Sequence, residues 1–189
     1  MCFPKRVEVN KVLEFNVAQL LKEPTGASRE YEIEESVEDL DEDVKPAGPL
    51  RGKLIFLHAG RYRILVTGKL EVPLYLTCSR CLETYVELVK LDIEEEFKAT
   101  VDVETGALLP VEGEVDEANL IDASHTLDMK EVIRQNILVN IPLRPLCSPT
   151  CAGLCPYCGH NLNEGPCECK EEVIDPRWAA LKKLLKTPN

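Results

Sequence analysis

The chain lacks any apolar run long enough to cross a bilayer, which takes about 18 or more consecutive apolar residues. Its amino-terminal stretch, MCFPKRVEVNKVLEF, has no apolar core of the length a secretory signal needs. A cytoplasmic location with no membrane partner is therefore expected. Positive charge is also scarce: 22 Lys and Arg stand against 33 Asp and Glu, for a net charge of -11. That balance opposes general binding to phosphate backbones, which works through Lys and Arg displacing counterions. There is no Walker loop, no GxGxxG and no HExxH, and His58, His125 and His160 form no local motif. No enzymatic activity and no small-molecule substrate are expected.

Cysteine, by contrast, is abundant. Six cysteines fall within CSPTCAGLCPYCGHNLNEGPCEC, from Cys147 to Cys169, and Cys78 and Cys81 lie in TCSRCLE, while Cys2 stands alone. With 189 residues, 44% of them hydrophobic, the chain can bury a core without a disulfide framework. In a reducing compartment closely spaced thiols point to metal rather than to bridges, and an odd count leaves one cysteine over in any pairing.

CPYCG has the form of a metal knuckle, in which two thiolates grip one ion from a tight turn and Gly159 permits the backbone that the turn needs. With Cys167 and Cys169 of the following CEC, Cys155 and Cys158 complete a four-sulfur site, closed and so structural. Cys78, Cys81, Cys147 and Cys151 are assigned to a second such site, which would staple the cysteine segment to the upstream sheet. Exchange of partners between the sites and a one-ion arrangement remain alternatives. Zinc suits tetrahedral sulfur best; iron also accepts four thiolates, and CPYCG is the kind of knuckle that rubredoxins use. A structural zinc supplies on the order of 10 kcal/mol to folding, so residues 146–170, with few apolar side chains, need the metal for order. His160 is a substitute ligand that four thiolates make unnecessary.

CSRC is also a CxxC, and a thiol-based redox or zinc-responsive regulatory protein is the second reading. Against it, CSRC lies between two strand-like runs rather than at the helix N-terminus that lowers a thiol's pKa.

The expected fold class is α+β, an antiparallel meander or partly closed barrel with a few short helices and a cysteine-rich, zinc-binding C-terminal segment. Residues 1–145 form the α+β part, and residues 146–189 form the zinc-binding segment with a terminal helix packed on it. A short strand is expected over residues 6–12, then a short helix capped by Asn16. REYEIEE has apolar positions of period two, and the acidic, Pro/Gly-punctuated stretch over about 34–49 reads as an exposed or mobile loop. From Leu50 to Thr100, alternation predicts about four strands, with breaks at Gly60 and Gly68 and the Cys78–Cys81 pair in the last hairpin. Pro73 suggests an edge strand or a bulge. An irregular acidic link over residues 101–120 precedes an apolar stripe of helical spacing over about 127–140, ended by Pro142. DPRWAALKKLLK carries Asp175 and Pro176 as start signals for the terminal helix.

Charge is unevenly spread. Glu30 to Asp43 holds nine acids and no base, whereas Pro142 to Asn189 holds six bases against five acids. The cysteine-rich end is thus roughly neutral and able to form a locally basic patch.

CSRCLE, IDASHTLDMKEVIRQNILVNIPLRPLC, CAGLCPYCGHNLNEGPCEC and DPRWAALKKL, in this order, resemble the YceD family, the large ribosomal RNA subunit accumulation proteins of bacteria and plastids. The resemblance implies a non-enzymatic role in ribosome biogenesis, supporting 23S ribosomal RNA synthesis, processing or accumulation. Its implied partners are a large-subunit ribosomal RNA precursor or a basic ribosomal protein. Members differ in whether the later cysteines are present, which implies that metal serves as scaffold. For direct RNA or partner contact the candidates are Arg80, Arg144, Lys170, Arg177, Lys182, Lys183 and Lys186.

Overall fold

The computed structural model describes residues 13–37, 41, 44–60, 62–110 and 115–169. The strand expected over residues 6–12 and the terminal helix lie outside them. In chain order the elements are β1 (Glu14–Asn16), α1 (Ala18–Lys22), β2 (Ser28–Glu35), β3 (Leu50–Gly60), β4 (Arg63–Thr77), β5 (Thr84–Ala99), a 3-10 turn (Glu117–Asn119), β6 (Leu120–Ile121), β7 (Thr126–Asp128) and α2 (Lys130–Asn140).

The period-two pattern from Leu50 to Ala99 dictates three long strands with one buried face. Leu54, Phe56, Ile64, Val66, Leu70, Val72, Leu74, Val89, Leu91, Ile93 and Phe97 all point inward and are buried. Neighbouring strands lie in the order β2-β3-β4-β5-β6, antiparallel except for the parallel pairing of β5 with β6. The sheet is open, bounded by β2 and β6, so the partly closed barrel does not form. β1 pairs with β7 as a separate two-stranded ribbon that places Phe15 opposite Leu127. On the inner side Val17, Leu20 and Leu21 of the α1 region and Val132, Ile133 and Ile137 of α2 complete one core. Phe15 meets Tyr31 and Phe56 edge to face, with ring centroids 5.0 and 4.9 Å away. Buried His58 on β3 points Nδ1 at the Glu23 carbonyl, 2.7 Å away, a structural contact.

Several expectations are corrected here. Gly68 does not break a strand: β4 runs unbroken for 15 residues through it. Gly52 and Gly68 sit diagonally across the β3–β4 ladder, each opposite a leucine, Gly52 facing Leu70 and Gly68 facing Leu54. A Cβ on Gly68 would lie 2.1 Å from the Lys53 carbonyl oxygen, and one on Gly52 2.2 Å from that of Lys69. Both glycines are thus required by close backbone approach, and both leave room for a leucine on the buried face. Gly60, at φ +81, does turn the chain between β3 and β4.

β4 as a whole is not an edge strand, because it lies between β3 and β5, but its pairing with β3 ends at Glu71, so Pro73 sits at a local edge relative to β3. Its carbonyl accepts from the Ala47 N–H at 2.8 Å, and the Tyr75 N–H donates to the Lys45 carbonyl at 2.8 Å. The Pro73 nitrogen therefore faces this short flanking segment, beyond the reach of β3, and no β4–β5 bond is lost. The ladder's irregularity falls instead between His58 and Gly60.

α2 begins at Lys130 rather than near 127, since Leu127 belongs to β7. Asn16 lies one residue before the N-cap of α1, Val17, and accepts from the Ala18 N–H at 3.2 Å. The stretch read as an exposed acidic loop is anchored at its described positions. Val37 and Val44 are buried, and the Asp41 carboxylate meets Arg134 of α2 at 2.8 Å. In the link over residues 101–120, Val101 and Leu108 form a bridge.

Candidate metal centres

β4 and β5 outrun β3 and end in a tight turn over Cys78–Glu83, closed by the Cys78 N–H to the Glu83 carbonyl (2.9 Å) and the Leu82 N–H to the Cys78 carbonyl (3.0 Å). Leu82 accepts a left-handed conformation, φ +61, to close it. After α2 the chain runs back to this tip, where the Ser79 N–H donates to the Pro145 carbonyl at 2.8 Å. Cys147 and Cys151 thereby arrive beside the hairpin cysteines. Cys78 and Cys151 sulfurs are 3.8 Å apart, and Cys81 and Cys147 sulfurs 3.6 Å. Four sulfurs at a Zn–S distance of about 2.3 Å in a tetrahedron are separated by roughly 3.8 Å, whereas a disulfide needs about 2.05 Å. The spacing fits a shared ion.

The second set forms within a single loop. Cys155 and Cys158 flank a turn in which the Cys155 N–H donates to the His160 carbonyl (2.8 Å) and the Gly159 N–H to the Cys155 carbonyl (2.9 Å). Gly159 stands at φ +73, as the knuckle requires. Cys167 and Cys169 complete the set. Within each group of four, Cys78, Cys81, Cys147 and Cys151 or Cys155, Cys158, Cys167 and Cys169, all sulfurs lie within 4.8 Å of one another. The structure thus brings together the same two sets of four that the spacing suggested, with no exchange between them, and His160 belongs to neither.

The electrostatics of each set favour a cation. The Cys81 backbone N–H, followed by that of Cys147, holds the Cys78 thiol down at about 6. The hydrogen-bonded Cys81 sulfur pushes Cys147 up to about 12. In the second set the backbone N–H groups of Cys158 and Tyr157 lower Cys155 to about 6, while the hydrogen-bonded Cys158 sulfur raises Cys169 to about 12. Adjacent thiolates repel, so each set ionises partly and holds protons on the rest. A divalent cation removes the repulsion and allows all four to bind as thiolates.

The sets differ in setting. Cys78, Cys81 and Cys151 are buried with Tyr85, Leu146 and Leu154 in a small cluster apart from the main core. In the second set only Cys155 is buried, and Cys158 and Cys169 are exposed.

The candidate contact residues are scattered. Arg80 is exposed, but its guanidinium donates to the Cys151 carbonyl at 2.9 Å, and its backbone N–H lies 3.4 Å from the Cys78 sulfur, so it braces the first set. Arg144 is exposed on the return segment. Lys170, Arg177, Lys182, Lys183 and Lys186 lie outside the described residues. One residue that the sequence did not single out is Asn163, whose side-chain amide reaches the Cys151 sulfur at 3.3 Å. No local spacing rule identifies it, because the contact joins one cysteine set to the loop of the other. Among the described residues no helix is long and apolar enough to cross a membrane.

Comparison with known proteins places these features in a lineage. An uncharacterized protein of Mycobacterium tuberculosis is 35% identical over 122 residues, 65% of this chain and 56% of its own length. The chain thus spans about half the length of the mycobacterial relatives it matches. The uncharacterized protein YlbN of Bacillus subtilis is 26% identical over 185 residues, 92% of this chain and 97% of its own. The large ribosomal RNA subunit accumulation protein YCED homolog 1, chloroplastic, of Arabidopsis thaliana is 33% identical over 58 residues, 31% of this chain and 18% of its own. No solved structure matches the chain. The family model for the large ribosomal RNA subunit accumulation protein YceD matches residues 66–185, from the middle of β4 through both cysteine sets, and the chain belongs to the YceD family.

Proposed function

We propose that the chain acts in the accumulation of large-subunit ribosomal RNA as a cytoplasmic, non-enzymatic assembly factor whose two cysteine sets hold structural zinc. Membership of the YceD family carries the ribosomal part of this reading. The metal part rests on sulfur spacings of 3.6 and 3.8 Å in a set contributed by two distant segments. Closed four-thiolate sites leave no open position for a reacting water, so the metal serves as scaffold. Here it joins the β4–β5 tip to the segment after α2.

The partner is a precursor of the large-subunit RNA or a basic ribosomal protein bound to it. Bases on the outer sheet face are matched with acids: Lys53 with Glu30 and Glu32, Arg51 with Glu34, Lys69 with Asp92 and Arg63 with Glu96. These pairs neutralise much of the positive charge described on that face, so the candidates for RNA contact are Arg144, on the return segment, and the bases that the sequence carries after residue 169.

The test is to cross-link the tagged chain in growing cells, sediment ribosomal precursors and sequence the RNA retained after denaturing washes. Association with large-subunit precursors, and a fall in 23S RNA on depletion, are expected. A chain absent from precursor fractions, with 23S RNA unchanged on depletion, overturns the reading. Precursor association without retained RNA assigns contact to a protein partner.

A further inference from the structure

The two cysteine sets are bridged by one side chain. Asn163 lies in the loop between Cys158 and Cys167, within the second set, yet its Nδ2 donates to the sulfur of Cys151 in the first set at 3.3 Å. The rest of the carboxamide is committed too. Its Oδ1 accepts from the Ala152 N–H at 2.8 Å, and Nδ2 also donates to the Asn161 Oδ1 at 2.8 Å. This network fixes which end of the amide meets the sulfur: turned over, it would set oxygen against a thiolate and NH2 against an N–H. The backbone repeats the connection, because the Leu162 N–H donates to the Gly153 carbonyl at 2.8 Å and Leu154 bridges Asn161.

A four-thiolate site around a divalent cation carries a net charge of about -2, and hydrogen bonds to sulfur from outside the ligand shell disperse it. For the first set such donors include the Cys81, Cys147 and Arg80 backbone N–H groups on Cys78, and the Asn163 amide with the Gly153 backbone N–H on Cys151. All but Asn163 belong to the segments that carry the first four cysteines or follow directly on Cys151. The Asn163 amide is delivered by a loop whose shape depends on the ligands at both its ends.

We propose that Asn163 couples the two metal centres, so that an ion bound by Cys155, Cys158, Cys167 and Cys169 holds the loop in the shape that tightens the grip of Cys78, Cys81, Cys147 and Cys151 on theirs. This rests on the metal-binding reading given above. Asn163 is a positioning residue, acting through Cys151. By linkage the coupling is reciprocal: an ion in the first centre also favours loading of the second. The more exposed second centre then governs how firmly the sheet tip holds the returning chain.

The experiment loads the full chain with two equivalents of cadmium-113, whose two resonances report the centres separately, and strips the metal with increasing EDTA. In Asn163→Asp the carboxylate still accepts from Ala152 but presents no donor to sulfur. The expected result is a shift of the first-centre resonance and its loss at an EDTA level about 10-fold or more lower than in the wild type, the range for outer-shell partners, with the second centre moved far less. A second chain, Cys158→Ser with Cys167→Ser, empties the second centre; it should weaken the first similarly, and adding Asn163→Asp to it should have little further effect. Unchanged retention at the first centre in Asn163→Asp, or additive losses in the combined chain, overturns the coupling. A wild-type chain that binds no cadmium overturns the metal reading itself, a distinguishable failure.

Discussion

Cys78 and Cys151, 73 residues apart in the chain, hold their sulfurs 3.8 Å from each other at the tip of the β4–β5 hairpin. The cluster around Cys78, Cys81 and Cys151, against which Leu146 and Leu154 pack, is separate from the main core and ties the sheet tip to the segment after α2. Removing metal with a chelator is therefore expected to release residues 142–169 while the sheet stays folded. Hydrogen exchange checks this: amides of residues 142–169 should lose protection, and those of β3 to β5 within Leu50–Val72 should keep it. Simultaneous loss across the sheet would mean that the metal supports the whole fold.

Arg134 joins two acids from different parts of the chain, Asp41 at 2.8 Å and Glu131 at 2.7 Å. Hydrogen bonding from Arg134, then from Gln135, holds the Glu131 carboxyl down at about 2, below its ordinary 4.5. A lowered carboxyl pKa adds stability above pH 4.5, and that stability is lost as pH falls from there towards 2. Glu131→Gln should thus flatten the pH dependence of stability in this window, as read by urea unfolding at several pH values. Arg134→Met should in addition speed proteolysis near Asp41, whereas equal cleavage of variant and wild type would show that the buried Val37 and Val44 anchor that stretch by themselves.

Gly68→Ala places a methyl 2.1 Å from the Lys53 carbonyl oxygen and about as close to Leu54 as any packed atom can come. Backbone must move to admit it, so a loss of more than about 1 kcal/mol is expected. Gly52→Ala meets the equivalent obstacle at Lys69 and should behave alike. Denaturant midpoints within error of wild type for both would contradict the close β3–β4 approach.

Phe56 is fully buried and its ring centroid lies 4.9 Å from Phe15 and 4.8 Å from Tyr31. Phe56→Ala is expected to destabilise by about 3–5 kcal/mol, measured by urea unfolding of the metal-loaded chain. A loss below about 1 kcal/mol would mean that the β1–β7 ribbon does not close over the sheet.

What could be read from the sequence was whatever a local pattern determines. Alternation gave the buried face of β3 to β5, and the CxxC spacings gave the cysteine sets, because a turn that offers two thiolates is a property of four or five residues. The rest depends on what the sheet brings opposite. Gly68 looks like a break until Leu54 is placed across from it. Pro73 marks an edge only locally, which shows once β3 is seen to stop short of it. The acidic stretch looks like solvent-exposed loop until Arg134, 93 residues beyond Asp41, meets it. Asn163 is invisible for the same reason, since its role exists only when the two cysteine loops are already packed.

On the proposed reading, the eight clustered cysteines hold two ions in two closed four-thiolate centres. Native mass spectrometry of the full chain, purified from cells with neither metal nor reductant added, tests this. Two divalent ions per chain are expected, with zinc as the mass increment and the protons of the bound thiols lost. A chain that carries no metal, and whose mass instead falls by pairs of hydrogens through disulfide formation, would contradict it.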